Sequence, residues 1–266
     1  MANQKPSATR RTLKNFRKHL FLFEELVKRD FQQRYKGTML GIFWSVLSPV
    51  LMLLVMKMVF TNFFGRDTPH YTTYIFAGNI VMAFFREATK SGMNSLRLNA
   101  SIINKINVPK YLFIFSKNVS ALVNFLLTVG IFFVFAAFDR IRFGFHMLAL
   151  VYPILCLILL NLGIGMIMSC LYIFFRDMTY LYDVFLRLLQ YMSAIFYTVD
   201  RFGPRAQKFF LFNPVYVIIK YIRYVVIDGK IPSLAYHGLC AFYAVIFLVI
   251  GFAMYKKYNH QFIYYL

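Results

Sequence analysis

The sequence predicts an all-α integral membrane protein with six transmembrane helices, an N-terminal amphipathic interface helix and re-entrant outer helices before the last span. Three observations carry this. Of 266 residues, 60% are hydrophobic and 15% charged, against roughly 45–50% and about 25% in an ordinary soluble domain. Apolar runs of about twenty residues recur along the chain, each long enough to cross the ~30 Å hydrocarbon layer at 1.5 Å per residue. The charges lie between these runs, and 30 Lys and Arg outnumber 10 Asp and Glu.

The first span runs from about Met39 to Phe60 and the second, more aromatic, from Tyr71 to Phe85. The third covers Leu112 to Phe138, the fourth Met147 to Phe175, the fifth Leu181 to Tyr197 and the sixth Leu239 to Tyr255. An even number of spans puts both termini on one side. Twenty basic residues fall on that side and three in the short loops opposite, leaving aside Lys57 and the six in the long segment before the last span. The positive-inside rule makes the twenty-charge face cytoplasmic. The expected organisation is a single membrane domain over 1–266. It comprises a cytoplasmic tail and interface helix over 1–37, five spans over 39–197, an outer re-entrant segment over 198–235, and the last span and tail over 236–266. No secretory signal fits the polar, basic start. The net charge of +20 belongs beside anionic lipid head groups rather than on nucleic acid.

Leu13, Phe16, Leu20, Phe23, Val27 and Phe31 recur at helical spacing, with charged residues such as Arg29 and Arg34 among them, as expected of a helix lying in the interface. The segment 198–235 has apolar pieces interrupted by Gly203-Pro204, Asn213-Pro214 and Asp228-Gly229. These pieces are too short or too charged to span, and two short re-entrant helices are the natural solution. Gly163, Gly165 and Ser169 mark close packing in the fourth span, and Gly37 with Gly41 has the small-xxx-small spacing.

Chemistry is sparse. The three cysteines lie in apolar runs without a Cys-x-x-Cys pair, the five histidines are scattered, and no metal site, nucleophile elbow or phosphate-binding loop is present. No catalytic residue, metal or cofactor is therefore expected in this chain, and ATP, if used, is bound with Mg by another subunit. No acid is expected in the middle of a span, where carriers keep coupled ionisable groups. Lys57 is read as snorkelling from the outer end of the first span. The 52 aromatic residues have two readings. One is lipid packing and the interfacial belt; the other places Trp44, Tyr191, Phe196 and Tyr197 on an internal passage, where flat rings stack on sugars. Both stay open at this level.

Arg29-Asp30-Phe31, Arg34-Tyr35-Lys36-Gly37, Leu40-Gly41, Trp44 and Ser48-Pro49, in that order, resemble the opening of the permease subunits of type-2 ATP-binding-cassette exporters of cell-surface polysaccharides. Pro109, Phe175-Arg176-Asp177, Phe196-Tyr197 and Asn213-Pro214 agree with this, so the resemblance covers essentially the whole chain. It implies two copies of the chain with two copies of a separate ATP-binding subunit, in a bacterial inner membrane, exporting a lipid-linked glycan such as O-antigen, capsule or a teichoic-acid-type polymer. It also implies an interface helix at about 13–35 and a coupling helix over 94–106, where Leu96, Leu98, Ser101, Ile102, Ile103, Asn104 and Ile106 face the ATPase. Phe202, Phe209, Phe210, Phe212 and Tyr216 would close the outer exit. The six basic residues of the outer segment are expected at lipid-phosphate level, with an anionic polymer as the other explanation. A permease for small molecules or drugs, and a membrane subunit of a polymer-synthesis complex, are the alternative functions.

Overall fold

The computed structural model describes residues 8–35, 43–60, 69–105 and 108–265, and every regular element among them is helical. In chain order these are α1 (Ala8–Tyr35), α2 (Phe43–Phe60), α3 (Tyr71–Leu98), α4 (Ala100–Ile103), α5 (Tyr111–Phe138), α6 (Val151–Phe174), α7 (Met178–Met192), α8 (Pro204–Phe210), α9 (Pro214–Val226), α10 (Leu234–Tyr258) and α11 (Phe262–Tyr265). A turn of 3₁₀-helix at Phe145–Leu150 leads into α6. Three helical stretches, Tyr111–Phe138, Phe145–Phe174 and Leu234–Tyr258, are long and apolar enough to cross a membrane. The pair α8–α9, bent by 105°, would make a fourth as a broken span.

Burial separates the roles of these helices. In α3, 17 of 28 residues are buried, and α5, α6 and α9 pack around it. In α10 only four of 25 are buried, and Phe242, Val245, Val249 and Phe252 face outward. A soluble protein does not expose an apolar surface of that length, whereas a lipid-facing helix must. The sequence under-reads α3 for the opposite reason, since its hydropathy is diluted by polar side chains that find partners inside the bundle.

The expected second span, Tyr71–Phe85, is thus a 28-residue helix reaching Leu98. Its continuation carries Arg86, Glu87 and Lys90, assigned to a loop by charge alone. Lys90 Nζ lies 2.6 and 2.8 Å from the two carboxylate oxygens of Asp183 on α7. Arg86 donates to Gln190 on α7, and Asn124 on α5 donates to Glu87 over 3.0 Å. Glu87 therefore places an acid well inside a helix where none was expected. The fifth expected span, Leu181–Tyr197, is also corrected: α7 is 15 residues long and stops at Met192, about 22 Å of helix. The expected coupling helix over 94–106 is not one element. Residues 94–98 finish α3, the helix breaks at Asn99, and α4 is a single turn.

The far end of α3 is fixed by α5. Asp139, just beyond α5, accepts from the Thr73 hydroxyl (2.7 Å) and backbone N–H (3.2 Å), placing a carboxylate on the first turn of α3, where orphan N–H groups need acceptors. At the other end of the bundle α1 lies on α5. Asp30 is buried there against Lys117 Nζ at 2.9 Å and Arg29 at 2.9 Å, and Leu26 enters the same cluster as Phe113 and Ile114. The buried stripe of α1 thus includes Leu26 and Asp30, while Leu20 and Phe21 stay exposed. Gly37, Gly41 and the motif residues 36–41 lie outside the described residues.

The sharpest packing constraint joins α6 to α10. A Cβ on Gly163 would come within 2.5 Å of the Phe247 carbonyl oxygen and the Leu248 nitrogen, so the two backbones touch and no side-chain rotation makes room. Gly163→Ala is expected to destabilise the purified chain by about 1–3 kcal/mol through overpacking. Gly130→Ala, with open space around its Cβ, is expected to be neutral or stabilising by up to about 1 kcal/mol. Thermal unfolding of both variants in nanodiscs checks this, and equal midpoints would contradict the packing.

Candidate functional site

Between α7 and α8 the chain runs without a long helix from Ser193 to Gly203, yet Ala194 and Ile195 are fully buried. Ala194 also holds a left-handed backbone, φ 48°, uncommon for a residue with a Cβ. Irregular buried backbone persists only where its polar groups are satisfied. Here side chains do it, carbonyl by carbonyl. Ser193 Oγ donates to Leu189 O (2.7 Å) and Tyr197 Oη to Tyr191 O (2.8 Å). Asn213 Nδ2 donates to Met192 O (3.2 Å). Arg223 donates to Ala194 O (2.9 Å) and Ile195 O (3.0 Å). Tyr71 Oη reaches Phe196 O (2.7 Å) and Tyr74 Oη reaches Tyr197 O (2.8 Å).

Arg223 is the hub of this ladder. It is 6% exposed, its Nε donates to Tyr74 O at 3.1 Å, and its guanidinium stacks 3.5 Å above the Tyr74 ring. The fork geometry suits arginine, whose several donors diverge from one rigid plane. Gly78 provides the room, since a Cβ there would lie 2.7 Å from the guanidinium. The expectation that all six basic residues of the outer segment sit at phosphate level is therefore corrected. Arg205, Lys208 and Lys230 are exposed, whereas Arg223 is spent inside the protein because three backbone carbonyls replace its water. The Arg201 side chain lies outside the described residues.

Asn213 and Pro214 perform the break that their identity implies. Asn213 Oδ1 accepts from Val215 N (3.0 Å) and Tyr216 N (3.3 Å), capping α9, and its amide also reaches Ser193 Oγ at 3.0 Å. One side chain thus starts α9 and ties it to the end of α7.

On this frame most of the expected aromatic residues converge. Phe196 is buried and stacks on Phe60 of α2 at 4.7 Å, with Tyr191 beside it at 6.2 Å. Tyr197 meets Phe202 at 5.8 Å and Phe210 at 6.3 Å. Phe202 and Phe210 are 5.9 Å apart, and Phe210 touches Tyr216 at 5.4 Å. Phe209 and Phe212 pair at 6.3 Å on the rim of an apolar groove of about 490 Å³ shared with Phe185, Leu188 and Tyr191. The residues expected separately as passage and closure form one aromatic assembly of three ring groups, Phe60–Phe196–Tyr191, Tyr197–Phe202–Phe210–Tyr216 and Phe209–Phe212, each of which lends at least one ring to the same groove. Trp44 is not part of it; it is exposed on α2, 16 residues from Phe60 and so about 24 Å away along the helix.

The expected ATPase-facing residues divide by burial. Leu98, Ser101 and Asn104 are exposed and Ile102 half-buried, whereas Leu96 and Ile103 are packed into the bundle; Ile106 lies outside the described residues. In α1, Leu20 is exposed, Phe23 and Arg29 are half-buried, and the side chains of Phe16 and Arg34 lie outside the described residues. Lys57 is exposed on α2, three residues from its C-terminal end. Among the described residues no three His, Cys, Asp or Glu side chains gather as a metal site, and the three cysteines are buried thiols. Sequence reasoning missed Tyr71, Tyr74, Gly78 and Arg223. The available signal was an arginine in a 13-residue helix whose other charge, Lys220, lies three residues away.

Comparison with known proteins agrees with this architecture. Residues 22–227 match the family model described as ABC-2 type transporter. The chain is 26% identical to the O-antigen export system permease protein RfbA of Klebsiella pneumoniae, over 91% of this chain and 95% of that one. It is 22% identical to the RfbA of Myxococcus xanthus, over 80% and 82%. It is 24% identical to the polysialic acid transport protein KpsM of Escherichia coli, over 88% and 92%. With its apolar helices and a family match over most of its length, the chain is a multi-pass membrane protein and belongs to the ABC-2 type transporter family of permease subunits.

Proposed function

We propose that this chain is the membrane-spanning subunit of an ATP-driven exporter that moves a lipid-linked cell-surface polysaccharide across a bacterial inner membrane. The carrying observation is the aromatic assembly from Phe60 through Phe196 and Tyr197 to Phe210 and Tyr216, in a chain that matches O-antigen and polysialic acid permeases along nearly their whole length. Flat rings suit the apolar C–H faces of sugars and let a polymer slide without a single deep binding minimum. α2, α3, α5, α6, α7 and α10 serve as six spans with cytoplasmic termini, α1 lies in the cytoplasmic interface, and α8–α9 re-enter from the outside. Two copies of the chain enclose the passage, and the aromatic assembly closes its exit between cycles. ATP and Mg bind to two copies of a separate ATPase, which docks on the exposed Leu98, Ser101 and Asn104.

Deleting the chain from its host is expected to remove the exported polymer from the cell surface while its lipid-linked precursor accumulates inside, with both reversed by complementation. Unchanged surface polymer would contradict the proposal. For the docking site, cysteines at Ser101 or Asn104 are expected to crosslink to the ATPase in the assembled complex, whereas a cysteine at the buried Leu96 is not. Crosslinks from Leu96 alone would place the contact elsewhere.

A further inference from the structure

Between Ile75 and Leu96, α3 leaves seven positions open, and six of them are polar: Asn79, Arg86, Glu87, Lys90, Ser91 and Asn94, with Ala83 the seventh. Recurring every three to four residues, they draw one stripe about 22 Å long down a helix whose other sides are packed. Its depth is fixed by α5. Asn124, which donates to Glu87 over 3.0 Å, is the fourteenth of the 28 residues of a helix long and apolar enough to span. The middle of the stripe is therefore level with the middle of that span.

Lipid cannot solvate such a surface. Polar and ionisable groups at this depth face protein or a water-filled cavity, and Lys90 and Asp183, although paired, keep 39% and 34% of their side chains exposed. The N-terminal half of the stripe opens into a cavity of about 230 Å³, walled by Ser48 of α2, Asn124 and Thr128 of α5 and Gln190 of α7, which is room for several waters. Arg86 lines this cavity, and its Nε is a buried donor without an acceptor among the described residues. Water is the acceptor that a polar cavity supplies.

α7 forms the facing wall. Asp183, Arg187 and Gln190 share one side of this helix; the first and last bond to Lys90 and Arg86, and Arg187 is exposed. The exposed Leu181, Val184, Leu188 and Met192 occupy a separate, apolar side. The stripe also leads to the aromatic assembly. On α2, Phe60 lies eight residues beyond the cavity-lining Met52, about 12 Å further along the helix, and stacks on Phe196. On α7, Tyr191 directly follows Gln190.

We infer that the polar stripe of α3, with the facing side of α7, is the hydrated wall of the translocation passage, and that the cavity at Ala83 and Arg86 is its mid-membrane section. The inference rests on the export reading and adds a route to it, water-lined along α3 and aromatic beyond.

The test uses the complete permease–ATPase complex in nanodiscs and a sulfonated methanethiosulfonate, which reacts with thiolate in water. Single cysteines are placed at Ala83 and Asn94 on the stripe, at the packed Ala88 of α3 and at the outward-facing Val245 of α10. Ala83→Cys and Asn94→Cys are expected to label faster than Ala88→Cys and Val245→Cys by about tenfold or more, since apolar surroundings suppress the thiolate. The native cysteines are buried and set the background. In the host, Ala83→Trp, which fills the cavity, is expected to abolish surface polymer from a complex that still assembles and hydrolyses ATP, whereas Ala83→Ser and Val245→Trp keep it. If Ala83→Trp does not assemble, the labelling rates alone decide. Stripe cysteines as slow as Val245→Cys, including any that crosslink to their counterparts in a second copy packed dry against the stripe, overturn the inference, as does export unchanged by Ala83→Trp; each leaves the export reading standing. Surface polymer that persists when the chain is deleted overturns the export reading itself.

Discussion

A buried stretch of non-helical backbone is tolerable only if its carbonyls are satisfied, and in this protein that requirement organises the half of the molecule around the 193–203 segment. The carbonyls of Leu189, Tyr191, Met192 and residues 194–197 each receive a donor from a side chain. The donors come from α3, α9, the α8–α9 corner and the segment itself. Because Arg223 binds Tyr74 O on α3 as well as Ala194 O and Ile195 O, it joins by polar contacts three elements that also share one apolar core. Leaving a buried carbonyl unpaired costs about 1–3 kcal/mol, so removing this one guanidinium exposes the structure to several such penalties. The aromatic assembly depends on this frame, since Phe196 and Tyr197 are held at the backbone by the same bonds.

The other half of α3 solves a related problem with side chains alone. Arg86, Glu87 and Lys90 meet Gln190, Asn124 and Asp183, and Tyr182 donates to Thr89 Oγ1 at 2.6 Å. Polar groups in a bundle are tolerated when they pair with one another and face inward. α3 thus makes polar pairs with α7 and α5 as well as apolar packing with α5 and α6, and is central to both clusters of bonds. The α6–α10 seam, where Gly163 and Gly251 bring backbones together, sets the opposite, outward-facing side.

The sequence makes the apolar helices plain because lipid demands uniform apolarity of α5, α6 and α10, and hydropathy measures that directly. It makes the Asn213-Pro214 corner plain because capping chemistry is local. It hides the length of α3 and the early end of α7, since both depend on partners distant in the chain: Lys90 on Asp183, Ala194 O on Arg223. Charge counting placed Arg86 and Lys90 in a loop and Arg223 at lipid phosphates for the same reason, as composition cannot tell a solvated cation from one that has exchanged water for carbonyls. The aromatic residues of 191–216 were nameable as a group, but their fusion into one assembly needs the bent α8–α9 pair and the irregular 193–203 segment. Trp44 shows the limit, being aromatic and correctly typed yet at the far end of α2.

Arg223→Gln tests the carbonyl-clamp account most directly, since it keeps a polar side chain of similar reach but removes the fork. The measurement is the rate of trypsin cleavage after Arg201, Arg205 and Lys208 in the complete complex in nanodiscs, followed by mass spectrometry. The account predicts cleavage faster by about tenfold or more, because roughly one lost carbonyl bond already frees the segment by that factor. Cleavage at the wild-type rate would contradict it.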